Sequence, residues 1–482
     1  YKASEQGNSF DAILKDFQSI AATSKKLPVF WQRSIDLDSV NDFKSLSPAT
    51  LFTLHWMQSN GMLDMIPQVQ ESFTTYVNAK QKKVTVAGKT FGPGDTFSID
   101  GSTGDVMEGE VAHSQPELSG YFGIVMEWGD EHRTLGIRAN ADTPEEAVRA
   151  RHFGATGIGL TRTEHMFFGP GRIEAMQEMI LSDTTSARQK ALTKLLPYQR
   201  ADFKGILSAM RGFPVTIRLL DPPLHEFLPR EKKRQMLLAE TLGITLESVR
   251  DRVESLEEAN PMLGHRGCRL AITYPEISVM HVTAIVEAAI ACRREGVRAF
   301  PEIMIPLVGS KPELAILRDL VERTIAEVRK AQNYSGKLQI PIGTMIEVPR
   351  AALTAGEIAG AADFFSFGTN DLTQMTYGFS RDDVNSFLPD YLSQDVLGKD
   401  PFFSLDQTGV GRLVSMATRE GREANPGIKV GICGEHGGEA ESIDFFHRME
   451  LDYVSCSSYR VPVARLAAAQ AALRQDGWEA SD

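Results

Sequence analysis

Only four cysteines occur in the 482 residues, Cys268, Cys292, Cys433 and Cys456, and no two share a CxxC spacing. That excludes a zinc-finger framework and gives no sign of a disulfide scaffold. Reduced thiols in a cytoplasmic compartment are expected, with an organelle such as a plastid also open. The N-terminus, YKASEQGNSFDAILK, has no apolar signal core, and no run reads as long enough to span a membrane. Positive charge is not in excess either. Lys and Arg number 51 against 63 Asp and Glu, a net charge of −12, which argues against nucleic acid as the main partner. The chain does not open on Met, as expected of a processed chain or a piece of a longer protein. With 42% hydrophobic and 24% charged residues, the composition is that of an ordinary globular protein. The length suits roughly two to three domains, or one large barrel with an appendage.

Residues 1–82 read as helical, from the apolar spacing of Phe10, Ile13, Leu14 and Phe17 and again of Leu51, Leu54 and Met57. Residues 83–118 change character. Short alternating strands punctuated by Gly-Lys, Pro-Gly-Asp and Gly-Ser-Thr-Gly turns predict a small β unit, and polar AHSQPELSG (112–120) a linker. From residue 119 onward, strand and helix patterns alternate. Candidate strands are TLGIRAN (134–140), GIGLTRT (157–163), PVTIRLL (214–220), GCRLAIT (267–273), EIMIPLV (302–308), IGTMIEV (342–348), FFSFGTN (364–370) and KVGICGE (429–435). Helical stretches such as TPEEAVRARHFG and KPELAILRDLVERTIAEVRKAQ lie between them. This is the α/β pattern of a parallel (β/α)₈ TIM barrel, with an open doubly wound sheet as the competing arrangement. Polar residues at the C-terminal ends of many different strands favour the barrel, whose chemistry sits at that face.

Those strand ends carry a coherent set of groups. Glu347 and Asp371 close two apolar runs and are hard oxygen ligands suited to Mg²⁺, with Asn370 and the Gly368-Thr369 turn alongside. An ion pair with a nearby arginine is the plainer reading of each carboxylate. Arg162, Arg218 and Arg266 occupy equivalent positions at the ends of successive candidate strands. Any single arginine is ordinarily a surface or salt-bridging residue, but three converging guanidiniums can neutralise and grip a phosphate. Cys433 ends the run KVGICGEHGG among Gly431, Gly434, Gly437 and Gly438, which let the backbone approach a ligand closely. A free cysteine is most often a small buried hydrophobe, yet a thiol there could exchange one proton with carbon, with Glu435 and His436 tuning it. Cys456, in DYVSCSSYR, is the rival thiol and is expected to pack beyond the eighth strand. His165, His225 and His265 adjoin the arginine motifs and are expected to orient them at most. His55 reads as a core or interface histidine.

The motifs GIGLTRTEHMFF, RLLDPPLHEFLP, NPMLGHRGCRLAITYPEI, PEIMIPLVG, GTMIEVPRAALTA, SFGTNDLTQMTYGFSRDD, LDQTGVGRLV, GICGEHGGE and DYVSCSSYRVPVARLAAAQAAL closely resemble a known family. From about Lys83 to Leu473 the chain is similar to the C-terminal phosphoenolpyruvate/pyruvate domain of the pyruvate phosphate dikinases, within the PEP-utilising enzymes. Phosphoenolpyruvate synthase and enzyme I of the sugar phosphotransferase system share the strand-end residues but fit less closely between them. The resemblance implies that Arg162 and Arg218 bind the phosphoryl group, with Arg266 in support and Arg381, in GFSRDD, as a further phosphate ligand. It implies Mg²⁺ on Glu347 and Asp371, substrate contacts from Gly368, Thr369 and Asn370, and proton transfer at C3 by Cys433. It also implies a homodimer through the barrel.

The departure lies upstream. No glycine-rich ATP-grasp pattern and no TSHAA-like phosphohistidine motif appears, and residues 83–110 look like the last strands of a swivelling phosphohistidine domain. The expected function is therefore the phosphoenolpyruvate/pyruvate half of a phosphotransferase, its phosphohistidine coming from another segment or chain. The alternatives are a non-catalytic dimerising or phosphoenolpyruvate-sensing subunit, and a stand-alone enolate enzyme acting on a pyruvate-like acid.

Overall fold

The computed structural model describes residues 84–475, apart from 87–88, 93–94, 100–105, 112–119 and 170. The helices expected within residues 1–82 and most of the 112–120 linker lie outside the described residues. The chain divides into two compact units, 1–117 and 118–482. Within the first, β1 (Val84–Val86) pairs antiparallel with β2 (Lys89–Phe91), and β3 (Phe97–Ile99) with β4 (Val106–Glu108). These are the short strands that the Gly- and Pro-punctuated stretch predicts.

The second unit is a closed parallel barrel. Its strands are β5 (Gly136–Asn140), β6 (Ile158–Arg162), β7 (Pro214–Arg218), β8 (Phe300–Ile305), β9 (Ile342–Ile346), β10 (Phe364–Gly368), β11 (Lys429–Cys433) and β12 (Tyr453–Ser457). They pair in chain order, and β12 closes on β5 through Tyr453↔Gly136 and Ser457↔Asn140. Strands buried on both faces read as continuous apolar runs, so most were visible in the sequence. Helices between them follow local signals. Thr143 caps helix Pro144–His152 by accepting the Glu146 N–H at 3.2 Å, and helix Lys311–Ala331 buries Leu314, Leu317, Val321 and Val328 at spacings of three, four and seven.

Two expectations fail together. GCRLAIT is a helix, Gly267–Thr273, whose buried residues Gly267, Cys268, Leu270 and Ala271 follow a helical rather than an alternating spacing. The true eighth strand is β12, in DYVSCSSYR, where serines and a cysteine mask the apolar signal. Cys456 therefore lies on the last strand rather than beyond it. Arg266 is correspondingly not at a strand end; it occupies the position before helix Gly267–Thr273. Against expectation, helix Pro275–Arg294 is long and apolar enough to cross a membrane. It is 72% buried within the protein over that window, the situation of a core helix.

Strand alternation sorts the side chains into two layers. Leu160, Met304, Met345, Phe364 and Cys433 form one cluster, while Ile137, Ala139, Val454 and Cys456 belong to the large core shared with the outer helices. Near the N-terminal ends of the strands, Arg138 donates to Thr216 Oγ1 at 3.0 Å and pairs with Glu302 at 2.7 Å, and Lys429 reaches Glu302 at 2.8 Å.

Candidate active site

The C-terminal ends of β6, β7, β9, β10 and β11 present most of the residues singled out from the sequence. Arg162 and Arg218 end adjacent strands and are register partners. Arg218 is buried against Glu164 and pairs with Asp221 at 2.9 Å. Arg266 joins the same Asp221 at 2.6 Å and reaches Asp371 at 3.2 Å. Asp221 thus holds two guanidiniums together in the interior. Although burial opposes it, Arg218 and Arg266 keep the Asp221 carboxyl below the usual range. Arg162 is the least committed of the three, its guanidinium standing 4.0 Å from Asp142. Asp142 also accepts the Arg162 backbone N–H at 2.7 Å and contacts His165 Nδ1 at 2.7 Å. His165 therefore contacts the same carboxylate that faces Arg162.

Glu347 follows β9 by one residue and is completely buried. Its Oε1 accepts the Leu307 N–H at 2.7 Å, an alignment for which Leu307 adopts the left-handed conformation, φ 60°. Its Oε2 has no hydrogen-bond partner. Gly368 makes that placement possible, since a Cβ there would overlap Glu347 Oε2. Burial, with Asp371 and Asp221 nearby, pushes the Glu347 carboxyl up to about 8 against the pull of Arg218 and Arg266. Asp371 is raised too, by burial first, with Asp221 reinforcing it and Arg266 opposing. The ion-pair reading is correct for Asp371, which has Arg266, but leaves half of Glu347 unexplained. Asn370 Oδ1 is likewise buried and unpaired. Among the described residues no three His, Cys, Asp or Glu side chains form a metal-holding group. Glu347 and Asp371 are both oxygen donors and could hold a cation of the Mg²⁺ type, which commonly takes one or two carboxylates and fills its sphere with water and substrate.

Cys433 ends β11 within the inner cluster. Its Sγ accepts from the Ser366 hydroxyl at 3.4 Å, and burial pushes its pKa up, with Glu347 reinforcing and Ser366, Arg218 and Arg162 opposing. Glu435 and His436 do not tune it as expected. Glu435 pairs with Arg381 at 3.0 Å near the surface, and His436 turns to Thr369. Arg381 lines a cavity of about 330 Å³ with Phe402, Gly434, Cys456 and Arg460. All four cysteines are free and buried.

The profile of the PEP-utilising enzyme, PEP-binding domain matches residues 117–473, most of the chain. The chain belongs to the PEP-utilising enzyme family. Curated relatives in this family include pyruvate, phosphate dikinase of Clostridium symbiosum, 54% identical over 398 residues, which are 82% of this chain and 45% of that protein. Pyruvate, phosphate dikinase 2 of Oryza sativa subsp. japonica is 55% identical over 404 residues, again 82% of this chain and 45% of the relative. The chloroplastic pyruvate, phosphate dikinase 1 of Arabidopsis thaliana is 54% identical over 396 residues, 82% and 41% of the two chains. The chain spans less than half the length of these relatives.

Sequence reasoning overlooked Asp142, Glu164, Asp221 and Ser366, although each lies near a residue that it did single out. Asp221 falls three residues after Arg218 in RLLDPP, a spacing that signals a possible local ion pair. Ser366 gave no signal, because its relation to Cys433 exists only across the register of β10 and β11.

Proposed function

We propose that this PEP-utilising barrel binds phosphoenolpyruvate and pyruvate and performs a Mg²⁺-dependent phosphoryl exchange with a phosphohistidine. This would be one half of the dikinase reaction, in which ATP, pyruvate and phosphate give AMP, phosphoenolpyruvate and diphosphate. The observation that carries the reading is the unpaired, fully buried Glu347 Oε2, set with Asp371 beside the arginine cluster. An apolar or merely structural barrel has no use for a carboxylate so strained.

In the direction that consumes phosphoenolpyruvate, the bond from phosphorus to the enolate oxygen breaks as a histidine nitrogen bonds to phosphorus. Arg162 and Arg218 would hold the phosphoryl oxygens while charge spreads over them, and Arg266 would support Asp371 and the anion together. The Cys433 thiol, kept protonated by burial, then gives its proton to C3 of enolpyruvate. Its thiolate is reset by a proton from solvent, and the reverse direction takes the proton from the pyruvate methyl. Mg²⁺ held by Glu347 and Asp371 would supply positive charge to the substrate's carboxylate and enolate oxygens. The 482 residues contain no TSHAA-like motif, so the phosphohistidine belongs to another segment or chain. A homodimer through the barrel is part of the same reading, and light scattering on the purified chain tests it.

Oxalate, a planar mimic of enolpyruvate, tests the site directly. Mg²⁺ and oxalate together are expected to stabilise the chain by ~2.7 kcal/mol at ~100 times the dissociation constant, and each alone much less. Equal thermal shifts for oxalate with and without Mg²⁺ would refute the metal assignment.

A further inference from the structure

His436 lies in the 3₁₀ turn Glu435–Gly438 after β11 and is completely buried, yet both its ring nitrogens are engaged. Nε2 is 2.9 Å from the Pro401 carbonyl oxygen, and Nδ1 is 2.8 Å from Thr369 Oγ1. A carbonyl only accepts, so the hydrogen of that pair sits on Nε2. In the neutral ring favoured by burial, Nδ1 is then an acceptor, and the Thr369 hydroxyl donates to it. Gly434 leaves room for the Thr369 hydroxyl. That glycine has φ 152°, and a Cβ there would come within 2.6 Å of Thr369 Oγ1 and 3.5 Å of Asn370 Oδ1.

This line of contacts joins two strand ends. Thr369 begins the helix Thr369–Tyr377, which carries Asn370 and Asp371, and Gly434 directly follows Cys433. The strands already align Gly368 with Cys433, but beyond that point the ladder stops and each chain turns away. The imidazole is a buried side chain that continues the connection past the last backbone pair. We propose that His436 is a positioning residue: through Thr369 it fixes the Cys433 turn relative to Asn370 and Asp371, so that the thiol meets the substrate's methylene carbon. The inference rests on the reaction proposed above and adds to it a residue that never touches substrate. Displacing a reacting group by about 1 Å costs as much as ~10²-fold in rate, so the effect is expected in turnover rather than in binding.

The test compares His436→Phe, His436→Asn and Thr369→Val, each in the full chain. Exchange of pyruvate methyl protons with deuterated water is followed by NMR with Mg²⁺ and phosphate present, and Mg²⁺–oxalate affinity is measured by calorimetry. His436→Phe is expected to slow exchange at saturating pyruvate at least ~10-fold, while KM and oxalate affinity stay within about twofold. His436→Asn retains an acceptor near the Nδ1 position and should recover part of the rate. Combining His436→Phe with Thr369→Val should be no worse than the more damaged single variant, because both break one connection. A wild-type rate in His436→Phe, fully additive losses, or a parallel collapse of oxalate binding would each overturn the proposal.

If the unmodified chain exchanges no protons, the reaction reading fails, and the clamp is judged without turnover. The ¹⁵N spectrum of the unmodified protein should then show a neutral His436 ring with its hydrogen on Nε2. A hydrogen on Nδ1 would refute the clamp even if the variants failed to fold.

Discussion

At the scale of single residues, Glu347 is the charge that the fold bears least easily. Below the ordinary carboxylate pKa both the folded and the unfolded chain hold its proton, and its titration adds no pH dependence to stability. Above that value the unfolded chain releases the proton while the fold retains it, so stability falls as pH rises until Glu347 itself ionises near 8. Without metal, Glu347→Gln is therefore expected to melt at a higher temperature than the parent at pH 8, the gap closing toward pH 4. Mg²⁺ should raise the melting temperature of the parent and leave the variant unmoved; a variant less stable than the parent at pH 8 would contradict the argument. The two thiols on adjacent strands separate just as sharply. Cys433 belongs to the inner cluster with Leu160 and Met345, whereas Cys456 packs in the core shared with the outer helices, where burial pushes its pKa up to about 12. Cys433→Ala should lose at least ~10²-fold in pyruvate methyl exchange and keep Mg²⁺–oxalate affinity. Cys456→Ala should exchange normally with at most a loss of stability, and reversed effects would assign the proton to the wrong strand.

Elements succeed or fail here by how their ends are packed. β9 and β10 lie side by side, and Gly368 on β10 is the gap into which Glu347 fits. Gly368→Ala would overlap Glu347 Oε2 and come 2.7 Å from Met345 Cε, so something must move. Overpacking of this kind costs about 1–3 kcal/mol. The sharper expectation is that Gly368→Ala also loses most of the thermal shift produced by Mg²⁺ with oxalate, because the carboxylate it displaces is the proposed ligand. A full shift in a destabilised variant would reduce Gly368 to a packing residue. Gly267 shows the same economy at the start of its helix, where φ is 57° and a Cβ would approach Leu307 Cβ to 2.7 Å. Leu307 is the residue whose N–H holds Glu347, so a helix mistaken for a strand in the sequence turns out to brace the site from behind.

For the molecule as a whole, the barrel is tied internally by a buried charge cluster, apart from the proposed site. Against the cost of burial, Arg138 and Lys429 hold the Glu302 carboxyl down at about 2. Its contribution to stability is present above the unfolded carboxylate pKa and is lost as pH falls toward 2. Glu302→Gln leaves Arg138 uncompensated inside the barrel, and breaking such a buried pair costs about 3–5 kcal/mol. Denaturation at pH 7 should show that loss, and the difference between parent and variant should narrow in acid; a constant difference from pH 7 to pH 2 would refute the ion-pair account. The purified 482-residue chain is also expected to form no phosphoenolpyruvate from ATP, because its sequence contains neither an ATP-grasp pattern nor a TSHAA-like histidine. A coupled assay reads this, and turnover would mean that residues 1–82 supply a phosphate carrier.

The sequence by itself determined the parallel barrel, seven of its strands and most of the polar groups gathered at the C-terminal ends of those strands. Apolar runs that end in Arg162, Arg218, Glu347 or Cys433 carry fold and chemistry in the same few residues, so one reading serves for both. It misjudged GCRLAIT and DYVSCSSYR because a seven-residue run is too short for its period to separate helix from strand, and because serine and cysteine hide a buried strand. Which side of its strand each thiol faces follows from strand alternation, and that Asp221 ties Arg218 to Arg266 follows from how the segment after β7 meets the start of helix Gly267–Thr273. The pairing of β10 with β11 brings Ser366 to Cys433, and the turns beyond that pairing bring His436 to Thr369, between residues 67 positions apart in each case. Only tertiary structure decided these, because a contact between distant positions depends on how strands align around the closed barrel, and no local pattern encodes that alignment.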